Sequence, residues 1–116
     1  MKVIVADAEG IVLDYLVCEA AGLLAAYPRT RRKFKKIWES GLFDYTHPTT
    51  KWKQGGPIID KLRGKGLQLA EVDTTVRASL DGVEGFYYGD TTLEAVLKCY
   101  VASELGKEVE VPEGLI

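Results

Sequence analysis

The residues from Thr49 to Pro57, TTKWKQGGP, bring together side chains and backbone features that suit phosphate. Lys51 and Lys53 supply point charges, and Gly55 and Gly56 let a ligand approach the main chain. A helix opening at Pro57, with proline at its first position, would add free N–H groups and the positive end of a dipole. Trp52 offers a face on which a base can stack, and Gln54 stands beside it. A second helix start follows Tyr87 and Tyr88, where Asp90, Thr91 and Thr92 set hydroxyls and an aromatic ring beside another group of free N–H donors. Lys51, Trp52, Lys53, Gln54, Gly55, Gly56, Tyr88, Asp90, Thr91 and Thr92 are therefore the candidate ligand-binding residues. The competing reading of the first segment is a Gly-Pro turn in which Trp52 plugs the core and both lysines face water. The sequence does not bring the two segments together.

Catalytic groupings are harder to assemble. His47 precedes Pro48 in a turn-rich stretch, with no G-x-S-x-G elbow near it. The carboxylate pairs Asp81 with Glu84 and Glu108 with Glu110 sit in no ligand pattern, and Gly82, Gly85 and Gly89 do not have G-x-G-x-x-G spacing. Cys18 and Cys99 each lie in an apolar stretch without a second Cys or His at metal-ligand spacing, and both read as buried free thiols. The expectation is a protein that is not an enzyme and uses no cofactor or metal; nucleotide hydrolysis through His47 and a carboxylate is the least favoured alternative.

The 116 residues carry a net charge of -2, which argues against general binding to DNA or RNA. Arg29 to Lys36, RTRRKFKK, is the local exception, while Glu104, Glu108, Glu110 and Glu113 gather at the other end. No signal peptide opens the chain, and the apolar run from Ile11 to Tyr27 is broken by Asp14 and Glu19, so neither secretion nor a membrane span is expected.

The elements that must hold these residues follow from spacing. Lys2 to Ala6 reads as a strand, with Asp7 capping a buried helix of Leu13, Leu16, Val17, Ala20, Ala21 and Leu24 that ends before Pro28. Thr30 is expected to cap a second helix with Phe34, Ile37 and Trp38 on its apolar side, which places Arg31, Arg32 and Lys33 unfavourably against the dipole. Residues 41–56 read as an ordered loop, followed by a short helix from Pro57 with Ile58, Ile59 and Leu62. Leu67 and Leu69, then Val76, Ala78 and Leu80, alternate as two antiparallel strands around a turn near Asp73 and Thr74, and Asp81-Gly82 leads toward a third at Phe86 to Tyr88. Thr91 and Glu94 form a capping box for the clearest helix, closed by Gly106, and Val109 with Val111 makes an edge strand before Pro112. One α+β domain over residues 1–116 results, a small antiparallel sheet with three or four helices packed mainly on one side.

The stretches from Pro48 to Asp60, PTTKWKQGGPIID, and from Gly89 to Leu115, with CYVASELG inside it, resemble the two signature regions of the phage NinX-like family of small proteins. The opening MKV and the Leu13-Asp14-Tyr15 group resemble that family's N-terminus. The chain departs from the pattern at Lys51, where the family implies an acidic residue, at Asp90 and Thr92, where it implies prolines, and in the basic stretch from Arg29 to Lys36. The resemblance implies a phage or prophage accessory gene acting in the cytoplasm of the infected bacterium, and it implies no activity and no catalytic residues. The expected function is to bind and sequester a nucleotide-type host defence signal, a cyclic dinucleotide or an ADP-ribose derivative, without cleaving it. The alternative is a module that docks a host or phage protein through the basic helix 29–36. A homo-oligomer is compatible with either.

Overall fold

The computed structural model describes residues 1–115 and is α+β. Its centre is α6, Thr92–Leu105, in which Leu93 and every residue from Ala95 to Val101 are buried. Such a helix needs neighbours on most sides, and it packs against α1 (Gly10–Ala20), α5 (Trp52–Leu62), β3 (Thr75–Ser79) and β4 (Tyr87–Gly89). Thr91 caps it as its spacing predicts, accepting the Glu94 N–H at 3.2 Å. The Glu94 carboxylate turns back to the N–H of Asp90 at 3.4 Å, one residue earlier than a full capping box requires.

The strands divide into two antiparallel ladders where one sheet is expected. β2 (Gln68–Val72), β3 and β4 form a three-stranded sheet in that order, with Ala70 opposite Arg77 and Arg77 opposite Tyr88. Among the described residues β1 (Lys2–Ile4) pairs only with β5 (Glu108–Glu110), with Val3 opposite Val109. Alternation along each strand marks its faces; it does not reveal which strand is its neighbour.

The helical segments also differ from expectation. Asp7 lies in a 3-10 turn, and Glu9 precedes α1 without a side-chain cap. α2 (Leu23–Ala26) is followed by α3 (Pro28–Arg32), which begins at Pro28, and α4 (Phe34–Ser40) comes after a break at Lys33. Thr30 is therefore inside a helix, buried, with Oγ1 2.8 Å from the Tyr45 hydroxyl. The expected conflict with the dipole is relieved for Arg31 and Arg32, which occupy the last turn of α3, where cations are favoured, but it persists at Lys33, the N-cap of α4, and at Lys35 and Lys36 in its first turn. No helix among the described residues is long and apolar enough to cross a membrane.

Gly106 follows α6 at φ +95 and ψ 178, a region open essentially to glycine alone. An added Cβ would meet nothing within 4 Å, so substitution is penalised by backbone strain only. Gly106→Val is expected to cost about 1–3 kcal/mol, read as a lower urea midpoint at unchanged m. An unchanged midpoint would contradict it.

Candidate functional site

A cleft of about 380 Å³ opens between the α3–α4 segment and the turn after β5. Its wall is the RTRRKFKK stretch, which supplies Arg31, Arg32, Lys33, Lys35 and Lys36. Phe34 turns inward at 2% exposure, because it is the apolar residue of this run, and meets the ring of Tyr15 edge-on at 5.2 Å. Tyr15, Phe34 and Leu115 form the apolar floor, with Pro112 and Gly114 beside them. Among the described residues Glu39 is the one carboxylate in the lining.

The charge there is strongly unbalanced. Arg31 is held by Glu19 at 2.6 Å, and hydrogen bonding to that carboxylate raises its pKa further. Arg32, Lys33, Lys35 and Lys36 have no carboxylate or other acid within salt-bridge distance among the described residues. Burial, and then the charge of Glu19, pushes the Tyr15 phenol up, so it stays a neutral hydrogen-bonding group. The chemistry on offer is capture of an anion that also carries an apolar part: guanidinium and ammonium groups for phosphate, and a floor without charge. The volume falls in the range of small-molecule sites.

The segment expected to bind phosphate is built differently. α5 begins at Trp52, not at Pro57, so Gly55 and Gly56 are helical and Pro57 is internal. The N–H groups of Gln54 and Gly55 both donate to the Lys51 carbonyl at 2.9 Å, which removes the open cradle. Gly55 is buried where a Cβ would collide with the Pro48 carbonyl and stand 2.7 Å from Leu93, so its lack of a side chain serves packing. The Gln54 side chain accepts the His47 N–H at 2.6 Å. Trp52 does not plug the core; it is 59% exposed and covers Gly56. Lys51 and Lys53 are exposed as well, and Lys53 lines a shallow hollow with Gln54, Cys18 and Tyr45.

The two candidate segments do meet, through Gly55 against Leu93 and through a hollow of about 320 Å³ shared by Thr49, Thr50, Asp90 and Glu94. Glu9 completes its rim, so the meeting place is acidic and repels phosphate. Tyr88 is exposed on the sheet, with its carbonyl accepting Lys98 Nζ at 2.9 Å, while Thr91 caps α6 and Thr92 begins it. Lys51, Trp52 and Tyr88 do not line that hollow.

Sequence reasoning singled out the basic stretch but missed its floor. Tyr15, Phe34 and Leu115 come from three distant parts of the chain, and no local pattern links them. Asp14, a break in an apolar run and part of the Leu13-Asp14-Tyr15 group, has a structural role that neither feature announces. Asp14 is 1% exposed and accepts three hydrogen bonds, from Trp38 Nε1 at 2.8 Å and from the Thr49 N–H and hydroxyl at 2.9 and 2.7 Å. These bonds tie α1 to α4 and to the 46–49 loop. A lone acid inside an otherwise apolar helix was the available signal. Cys18 and Cys99 are buried and unpaired as expected, and burial pushes both thiols up to about 12, which leaves them unreactive at neutral pH.

A family model described as Bacteriophage P22, NinX matches residues 4–104. No curated protein matches the chain.

Proposed function

The chain belongs to the bacteriophage P22 NinX family, and we propose that it is a stoichiometric binder of a nucleotide-type defence signal in the cytoplasm of the infected bacterium. The ligand class is a cyclic dinucleotide or an ADP-ribose derivative, held intact. The observation that supports this reading is the convergence of Arg32, Lys33, Lys35 and Lys36, none of them ion-paired among the described residues, over the floor of Tyr15, Phe34 and Leu115. Clustered like charges repel one another in the free protein, and a phosphate group relieves that repulsion while forming charge-assisted hydrogen bonds. The cleft suits one nucleotide unit, with the remainder of the ligand lying over the rim. A sequestering protein needs only preorganised affinity of this kind, with no group that stabilises a transition state.

The same cations favour a second reading, docking of an acidic segment of a host or phage protein, because they are exposed along two consecutive short helices. Native mass spectrometry of the chain taken from infected cells separates the two. The first reading expects a retained nucleotide, released unchanged by denaturation. A cleaved product would make the protein an enzyme, and a bound acidic protein with no small molecule would favour the second reading.

A further inference from the structure

β2 is the outer strand of the three-stranded sheet, and among the described residues only β3 pairs with it. It is exposed along its length, with Ala70 alone half-buried. Asp73 and Thr74 form the turn of the β2–β3 hairpin, so Val72 and Thr75 are its first hydrogen-bonded pair. Alternation then makes Ala70 with Arg77 and Gln68 with Ser79 the other hydrogen-bonded pairs. The main-chain N–H and C=O groups of Leu69 and Glu71 therefore point away from β3, and no turn or loop backbone among the described residues takes them.

Natural edge strands are commonly guarded by lysine, proline or a bulge. β2 reads QLAEV, with no lysine or proline, and its unbroken register with β3 leaves no bulge. Leu69 and Val72 stand 49% and 39% exposed on it. The pattern is also self-complementary. An antiparallel copy centred on Ala70 sets Leu69 opposite Glu71 and Gln68 opposite Val72, so no like charges face each other. A copy centred on Glu71 would oppose two carboxylates directly. In the Ala70 register, Asp73 of one copy comes level with Leu67 of the other, within reach of Lys65. Asp73 and Lys65 are both exposed, and neither has an ion-pair partner among the described residues.

We propose that β2 pairs with β2 of a second copy of this chain, antiparallel about a two-fold axis at Ala70, so that the two three-stranded sheets become one continuous sheet. The Leu69 N–H and C=O meet the Glu71 C=O and N–H of the other copy, and the reverse, which matches every outward main-chain group of the strand. Leu69 gains cover from the Glu71 methylenes across from it, and Val72 from the stem of Gln68. Any extended backbone would match the main chain. The side-chain register and the Asp73 to Lys65 attraction, made twice by symmetry, select this chain as the occupant. The contact uses no residue of the basic cleft and stands whether or not that cleft binds a nucleotide.

Sedimentation equilibrium of the full chain at micromolar to millimolar concentration should show a monomer–dimer equilibrium. Ala70→Lys sets two ammonium groups against each other at the axis, each with Arg77 beside it, and should weaken the dimer at least about tenfold. Cysteine variants read the register itself. Ala70 faces its own counterpart as a non-hydrogen-bonded pair, with Cα atoms about 4.5 Å apart, a span that a disulfide bridges. Cys18 and Cys99 are buried, so an exposed thiol on β2 is the one that oxidises. Oxidised Ala70→Cys should therefore run as a covalent dimer, and Leu69→Cys, diagonal to its counterpart, should link at least about tenfold more slowly. If Ala70→Lys fails to fold, the two cysteine variants still decide. A chain that stays monomeric throughout, a dimer that Ala70→Lys leaves intact, or Leu69→Cys linking as fast as Ala70→Cys would each overturn the proposal.

Discussion

Asp14→Ala is expected to destabilise the protein by about 2–4 kcal/mol, because it strands the two buried Thr49 donors, each costing roughly 1–3 kcal/mol when unpaired, and frees the half-buried Trp38 N–H. The loss should spread outward. Trp38 stacks on His47 at 5.0 Å with the rings 17° apart, so freeing Trp38 also loosens the loop that carries Thr46 to Thr49. Burial raises the Asp14 pKa above 3.8, against the opposing pull of the Trp38 and Thr49 hydrogen bonds. A carboxyl whose folded pKa is raised binds its proton more tightly in the native state, so its contribution is full below the unfolded value and declines as pH rises through the folded one. The gap between the two proteins should therefore be widest near about pH 4 and narrower near about pH 8. Urea midpoints across that range check both parts, and a gap that widens with pH would reverse the assignment.

The paired variants Gly55→Ala and Gly56→Ala should move stability in opposite directions. At Gly55 the new Cβ meets a backbone carbonyl at Pro48 and stands 2.7 Å from Leu93, and neither the loop nor α6 can yield cheaply. A loss of about 2–3 kcal/mol is expected from such overpacking. At Gly56 the nearest atom is a Trp52 ring carbon at 3.6 Å, an ordinary contact, and alanine is the better helix former by about 0.5–1 kcal/mol. Thermal or urea melts of the two proteins read this directly. Equal and small effects at both positions would return these glycines to a flexible loop.

Those glycines show where sequence reading succeeds and where it stops. Thr91, Glu94 and the apolar run of α6 are local signals, and the structure reproduces them to within a residue. Gly55-Gly56-Pro57 is also a local signal, and it points the wrong way, because Leu93 and Pro48 impose a close approach that only glycine permits. Tertiary packing decides between the two meanings of a glycine pair. The basic stretch was legible as charge, but its role depends on Tyr15 and Leu115 lying against it, and their separation along the chain hides that. Likewise the pairing of β1 with β5 joins the two ends of the molecule, and no periodicity within either strand announces it.

Isothermal titration with a panel of cyclic dinucleotides and ADP-ribose derivatives tests the central claim most directly, run on three proteins side by side. The unaltered chain and a Lys51→Ala, Trp52→Ala double variant should bind alike, since those residues lie outside the cleft. An Arg32→Glu, Lys36→Glu double variant should bind at least about tenfold more weakly, the loss of charge-assisted contacts worth roughly 1.5 kcal/mol or more. Full binding by the charge-reversed variant, with binding lost in the Lys51, Trp52 variant, would contradict the account and return the site to the start of α5.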